Sequence, residues 1–158
     1  MTIRCGRADD EAALVAIDRA TWSPYMTPMP KPGEAFFNER TQPENVVVAE
    51  RDGAAVGYAK IEHPTPFPAS DHVWEITGLA VDPAAQSAGL GRALMDALIK
   101  EARGRGGRRL TLRVFAVNER ARRLYEQLGF QVEGILRSEF RVGDDYLDDV
   151  LMALDLTR

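Results

Sequence analysis

The stretch Leu79-Ala80-Val81-Asp82-Pro83-Ala84-Ala85-Gln86-Ser87-Ala88-Gly89-Leu90-Gly91-Arg92-Ala93 reads as a strand, a glycine-bearing turn and the start of a helix. Upstream, the run from His72 to Val81 is apolar and β-branched and is closed by Asp82-Pro83, which predicts a strand. Downstream, Leu90, Leu94, Ala97, Leu98 and Ala102 share one helical face, and Gly104, Gly106 and Gly107 stop the helix. Such a turn presents unpaired backbone N–H groups at the positive end of a helix. Gly89 and Gly91 lack Cβ, so an anion can approach the backbone closely. The pattern predicts a phosphate or pyrophosphate cradle. It is not a Walker loop, because no Lys-Ser or Lys-Thr follows the glycines. It is not a dinucleotide fingerprint either, because the third glycine is missing and no first strand precedes it in βαβ order. A tight strand–helix connection without a ligand is the plain alternative.

Outward from this turn, strands and helices alternate. Thr2–Arg7 reads as a short first strand. Asp9 and Asp10 precede Ala12, Leu14, Val15, Ile17 and Trp22 at helical spacing, which predicts an amphipathic helix. Pro24, Pro28, Pro30 and Pro32 make Ser23–Gly33 a loop. With Trp22, Tyr25, Met26 and Met29 it is a candidate lid, or a loop whose large side chains top the core. Val46–Glu50 and Ala54–Glu62 flank Asp52-Gly53 and predict a hairpin. Leu110–Phe115 is β-rich, and Asn118–Leu128 is helical in period, with Ala121, Leu124, Tyr125 and Leu128 together. Phe130–Arg141 and Tyr146–Leu156 read as two strands around Gly143-Asp144-Asp145. The alternation predicts an α/β fold: one domain over residues 1–158, with a mixed sheet in three layers.

Composition bounds the function. The 158 residues carry 20 Lys and Arg against 24 Asp and Glu, a net charge of -4, which argues against nucleic-acid binding. One cysteine, Cys5, excludes an intrachain disulfide and a thiolate cage, and His63 and His72 make a histidine metal site unexpected. Cys5 reads as a packing residue. No apolar run approaches the roughly 20 residues that span a bilayer, and the N-terminus has no signal-peptide stretch. The expectation is a cytoplasmic protein with no membrane partner and no metal.

Two motifs together resemble those of the GNAT N-acetyltransferase superfamily. Gln86-x-x-Gly89-x-Gly91-Arg92 is similar to its acyl-CoA signature. Asn118-x-x-Ala121-x-x-Leu124-Tyr125-x-x-x-Gly129-Phe130 is similar to its second signature, and both occur in the family's order. The resemblance covers most of the chain and looks most like the bacterial small-molecule and amino-acid N-acetyltransferases. It implies a three-layer αβα fold whose central sheet, mixed and mostly antiparallel, splays at the acyl-CoA site. Acetyl-CoA is then the cosubstrate. The resemblance places its pantetheine arm between the splayed strands, paired with backbone groups of Leu79 and Val81 like an added strand. The amides of Gln86, Ser87, Ala88, Gly89, Leu90, Gly91, Arg92 and Ala93 would hold the pyrophosphate. Asn118 would bind the cofactor arm while also capping its helix. Arg122 lies near enough on that helix to touch it, or else is solvated surface.

Acetyl transfer to an amine needs two proton movements: off the ammonium and onto the departing thiolate. Tyr125 stands at the family position for the donor to sulfur, and a phenol with pKa near 10 carries its proton at neutral pH; a core-packing aromatic is the alternative. Glu75 is the base candidate, acting directly or through water. Two-residue alternation puts Glu75, Thr77, Leu79 and Val81 on one strand face. Apolar neighbours would raise the Glu75 pKa. A solvent-facing strand glutamate is the alternative. The backbone N–H of Leu79 would polarise the thioester carbonyl.

The expected acceptor is a primary amine of a small molecule such as an amino acid or polyamine. Asp144, Asp145, Asp148 and Asp149 either attract that cation or form a solvated turn. A protein N-terminal or lysine acetyltransferase and a non-catalytic acyl-CoA sensor remain alternatives. The apolar run Val150-Leu151-Met152-Ala153-Leu154 is compatible with a homodimer built on C-terminal strands and equally with an interior strand.

Overall fold

A computed structural model of the chain describes residues 1–86 and 89–158. Its elements follow the order β1 (Thr2–Cys5), α1 (Glu11–Thr21), β2 (Val46–Arg51), β3 (Ala54–Glu62), β4 (Val73–Val81), α2 (Leu90–Gly104), β5 (Arg109–Phe115), α3 (Glu119–Gln127), β6 (Gln131–Val142) and β7 (Asp145–Asp155). The strands form one sheet in the order β1-β2-β3-β4-β5-β7-β6. Every neighbouring pair is antiparallel except β4 with β5. The β4–β5 link carries α2 and is long enough to return the chain to the same end of the sheet, as a parallel pair needs and a hairpin turn cannot supply. Asp52 and Gly53 both take positive φ, 52° and 78°, as a two-residue turn twisted to suit its strands requires.

Side-chain alternation splits the core in two. Val46, Val48 and Tyr58 pack under Leu14, Val15 and Ile17 of α1. Val47, Ala49, Ala59 and Ile61 face the other way, onto Leu90, Leu94, Met95 and Leu98 of α2, with Tyr125 of α3 on the same side. One helix on one face and two on the other give the three layers.

One alternation expected from the sequence fails. Ile61 pairs with Ile76 and Lys60 with Gly78, so β4 holds an extra residue, Thr77, at a bulge. A bulge of one residue flips the facing of everything after it. Trp74 and Ile76 face α2, and beyond the bulge so do Leu79 and Val81, while Ala80 turns toward the α1 core. Glu75 therefore lies on the opposite face from Leu79 and Val81, not on theirs. Cys5 also departs from expectation: it is exposed rather than packed, because β1 is an edge strand with little beyond it. The apolar β7 is interior, between β5 and β6. No helix among the described residues is long and apolar enough to cross a membrane.

Candidate active site

The β4–β5 ladder consists of three pairs, Val73 with Arg109, Trp74 with Leu110 and Glu75 with Thr111. It then ends, although β4 continues to Val81 and β5 to Phe115. The two parallel strands diverge and leave a gap in the middle of the sheet. Strand divergence frees the facing N–H and C=O groups of β4 for another extended chain. Leu79 stays paired to Ala59 on its β3 side. The Val81 carbonyl accepts a hydrogen bond from Gln86 Nε2 at 3.3 Å, which draws the turn back onto the strand end.

On the α2 side of this gap lies the glycine turn. Gly89 takes φ 96°, a left-handed conformation that favours glycine, and α2 begins at the next residue. Among the described residues, a Cβ on Gly89 would meet nothing within 4 Å, and one on Gly91 would meet only Leu124 Cδ2 at 3.8 Å. The backbone amides of Leu90, Gly91 and Arg92 start a 15-residue helix, so they have no partner within it. The Ala93 amide is taken by the Gly89 carbonyl at 2.9 Å. Arg92 faces outward toward Asp96 at 3.9 Å. Ser87 and Ala88 lie outside the described residues.

Helix α3 closes the same side. Asn118 caps it, its side chain accepting from the Ala121 amide at 3.2 Å, as a short polar residue ahead of a helix should. Arg122 Nη1 donates to the Ala116 carbonyl at 3.1 Å, while its Nε is buried with no partner among the described residues. A buried donor without a partner is costly, and an anionic or carbonyl ligand beside α3 would satisfy it. Open cradle, diverged strands and orphaned Arg122 Nε together fit a pyrophosphate carried on an extended arm. Tyr125 is buried against the α2 core, 5.9 Å from the Phe130 ring, and burial pushes its phenol up to about 12. It holds its proton throughout the physiological range.

The opposite face of the gap holds the carboxylates. Glu75 is half-buried and sits directly across from Glu62. Burial raises its pKa above the usual 4.5, with Arg113 opposing and Glu62 adding to the shift. Glu62 is itself compensated, by Thr41 Oγ1 at 2.5 Å and Arg40 at 3.3 Å. Further along, Arg113 on β5 and Asp149 on β7 form an ion pair at 2.6 Å. They line a cavity of about 120 Å³ with Met26, Pro28, Phe115 and Phe140. The proline-rich loop thus covers the cavity, held by Tyr25 Oη to Asp145 at 2.9 Å and Trp22 Nε1 to the Met29 carbonyl at 3.0 Å.

These contacts sort the sequence expectations. Of the four C-terminal aspartates, only Asp149 is buried, and burial raises its pKa against the pull of Arg113. Asp145 holds the loop, and Asp148 accepts from the Ser138 amide at 2.8 Å. Sequence reading gave Arg113, Phe115 and Phe140 no role. The available signal was Arg113 itself, a lone cation inside the apolar run Leu110–Phe115. His63 is structural: it stacks on Trp74 at 3.7 Å with Nδ1 bonded to the Val73 carbonyl. Among the described residues no cluster of His, Cys, Asp and Glu could hold a metal ion.

Comparison with known proteins decides the family. The model of the acetyltransferase (GNAT) family matches residues 12–130. The chain belongs to the GNAT family. Among relatives, the [ribosomal protein bS18]-alanine N-acetyltransferase of Escherichia coli K12 is 44% identical over 79 residues, covering 50% of this chain and 53% of that one. The chain thus spans about half the length of this curated relative. The N-alpha-acetyltransferase RimI of Mycobacterium tuberculosis is 38% identical over 114 residues, 72% of this chain and 69% of the relative. A yncA structure from Salmonella typhimurium, solved with its cofactor acetyl-CoA, superposes with a TM-score of 0.78 at 28% identity over 99% and 94% of the two chains. The seven-stranded open sheet is thus the GNAT fold, and its family cosubstrate is acetyl-CoA.

Proposed function

We propose that this GNAT protein transfers the acetyl group of acetyl-CoA to a primary amine of a small molecule by direct attack. The cradle at the start of α2, the edge of β4 that borders the gap at Leu79 and Val81, and Asn118 and Arg122 on α3 would hold the cosubstrate. Its thioester would reach into the β4–β5 gap. Glu75, on the far side, takes the proton from the ammonium, directly or through one water. A carboxylate with a raised pKa is a better matched base near neutral pH than an ordinary one. Tyr125 gives its proton to the departing thiolate. The Leu79 amide polarises the carbonyl as charge develops on its oxygen.

The observation that carries this reading is the placement of the two groups. Glu75 and Tyr125 lie on opposite faces of the sheet, and the gap joins the faces. An acceptor and a cosubstrate entering from opposite sides would meet there in line. The cavity supports a small acceptor: about 120 Å³ beneath Met26 and Pro28 is well below the roughly 300–1,000 Å³ of pockets for larger ligands.

A second reading, acetylation of a protein N-terminus, is favoured by what the Escherichia coli and Mycobacterium tuberculosis relatives are named for. A thiol-release assay with acetyl-CoA across amino acids, polyamines, aminoglycosides and short peptides separates the two. Turnover confined to small amines supports the first reading, and turnover confined to peptides replaces it with the second. Thermal stabilisation by coenzyme A with no turnover on any amine would favour a non-catalytic sensor.

A further inference from the structure

Arg113 takes no part in the proton movements above, yet it lines the acceptor-side cavity. We propose that Arg113 receives a carboxylate of the acceptor, so that the acceptor is a free amino acid whose ammonium is directed to Glu75. The proposal rests on the acetyl-transfer reading and narrows its substrate class.

The ion pair is built to present a cation. Arg113 Nε and Nη2 both reach Asp149 Oδ2 at 2.6 Å. Nη1 has no protein partner among the described residues. One carboxylate oxygen therefore fixes the guanidinium plane without using up its donors, and a planar fork suits a second carboxylate. The Asp149 side chain is only 3% accessible while that of Arg113 is 45% accessible, so the ligand-facing charge of the pair is positive.

The register sets the spacing. Glu75 is paired with Thr111, and Arg113 lies two residues further along the same face of β5. That is about 7 Å along the strand. Two side chains leaning in from those positions can hold the ammonium and carboxylate of one α-amino acid between them. Met26, Phe115 and Phe140 supply an apolar wall for its side chain. Glu62 is turned to partners of its own, Arg40 and Thr41, and its charge still raises the pKa of Glu75 from across the strand pair. A polyamine would set a second cation against the guanidinium, and a peptide N-terminus would offer it only a neutral carbonyl.

The test compares three ligand forms: methionine and leucine, their carboxamides, and the amines left by removing the carboxylate. Each is titrated calorimetrically into the protein with coenzyme A present, and assayed for thiol release with acetyl-CoA. The parent should favour the acids over the carboxamides by about 10- to 100-fold, as a charge-assisted pair gives. Arg113→Gln should bring that ratio to within a few-fold, and Arg113→Lys should restore part of it. Because Arg113→Gln strands a buried Asp149, the double variant Arg113→Gln, Asp149→Asn removes both charges together and should show the same loss of selectivity. Equal or tighter binding of the carboxamides or amines by the parent overturns the proposal, as does selectivity that survives both variants. Carboxylate-selective binding without thiol release would instead overturn the acetyl-transfer reading and leave the Arg113 assignment standing.

Discussion

Glu75 and Leu79 stand four residues apart on one strand, yet their side chains leave opposite faces of the sheet, because Thr77 is an extra residue at a bulge. An unbroken strand would put both toward the α2 core. The bulge lets β4 serve two surfaces: Leu79 and Val81 beside the glycine cradle, and Glu75 among Glu62, Arg113 and Asp149. A cosubstrate on one face and an acceptor on the other then need only the gap between β4 and β5 to meet.

The Glu75 carboxylate separates activity from stability. Glu75→Gln should lower kcat/KM by about 100- to 10,000-fold, the usual contribution of a general base. It should also remove the acidic limb of the pH–rate profile. The stability effect has the opposite sign. Burial raises the folded-state pKa above 4.5, so between 4.5 and that raised value the folded protein holds a proton that the unfolded chain has released. Folding stability therefore falls as pH rises through that window. Thermal melts at stepped pH should show this slope reduced in Glu75→Gln. A variant less stable than the parent at neutral pH would argue against a desolvated carboxylate.

Tyr125 is buried, with its phenol pushed up to about 12, and it packs near Phe130. Tyr125→Phe keeps the ring and removes the proton. Turnover should drop about 100-fold, while coenzyme A affinity measured by calorimetry stays close to the parent's. Equal losses of both would mean that the hydroxyl binds rather than protonates.

Much of this site was legible in the sequence. The Gly89–Gly91 turn, the Asn118 cap and the Asp52-Gly53 hairpin are local, and local chemistry is written in adjacent residues. The Arg113–Asp149 pair joins β5 to β7 across 36 positions, and no spacing rule links them. The bulge at Thr77 was hidden for a similar reason. It arises from pairing with Lys60 and Ile61, and Ile76-Thr77-Gly78 carries no signal of its own beyond one glycine. The proline-rich loop was legible as a loop and a candidate cover. Its landing points, Asp145 for Tyr25 and the cavity for Met26 and Pro28, depend on the distant β6–β7 hairpin.

That landing contact makes its own prediction. Tyr25 Oη donates to Asp145 at 2.9 Å, tying the loop over the cavity to the start of β7. Tyr25 is exposed, so Tyr25→Phe should leave the thermal midpoint unchanged within error. The acceptor KM should rise by about 2- to 5-fold, the worth of one hydrogen bond, with the acetyl-CoA KM unaffected. A change confined to the acetyl-CoA KM would place the loop over the other substrate.

Gly91 tests the cradle by setting two effects against each other. It lies in the first turn of α2, at a φ outside the left-handed region, and among the described residues an added methyl would meet only Leu124 at a comfortable 3.8 Å. Nothing among the described residues of the free protein requires glycine there. Gly91→Ala should therefore stabilise the unliganded protein by about 0.5–1 kcal/mol, through helix propensity and a less flexible unfolded chain. If the amides of this turn hold a pyrophosphate, the same methyl stands where the anion must approach, and coenzyme A affinity should fall by about tenfold or more. Denaturant unfolding with and without coenzyme A reads both effects on one sample: the variant should be the more stable without ligand and the less stabilised by it. A variant that gains stability and still binds coenzyme A as the parent does would move the pyrophosphate away from this turn.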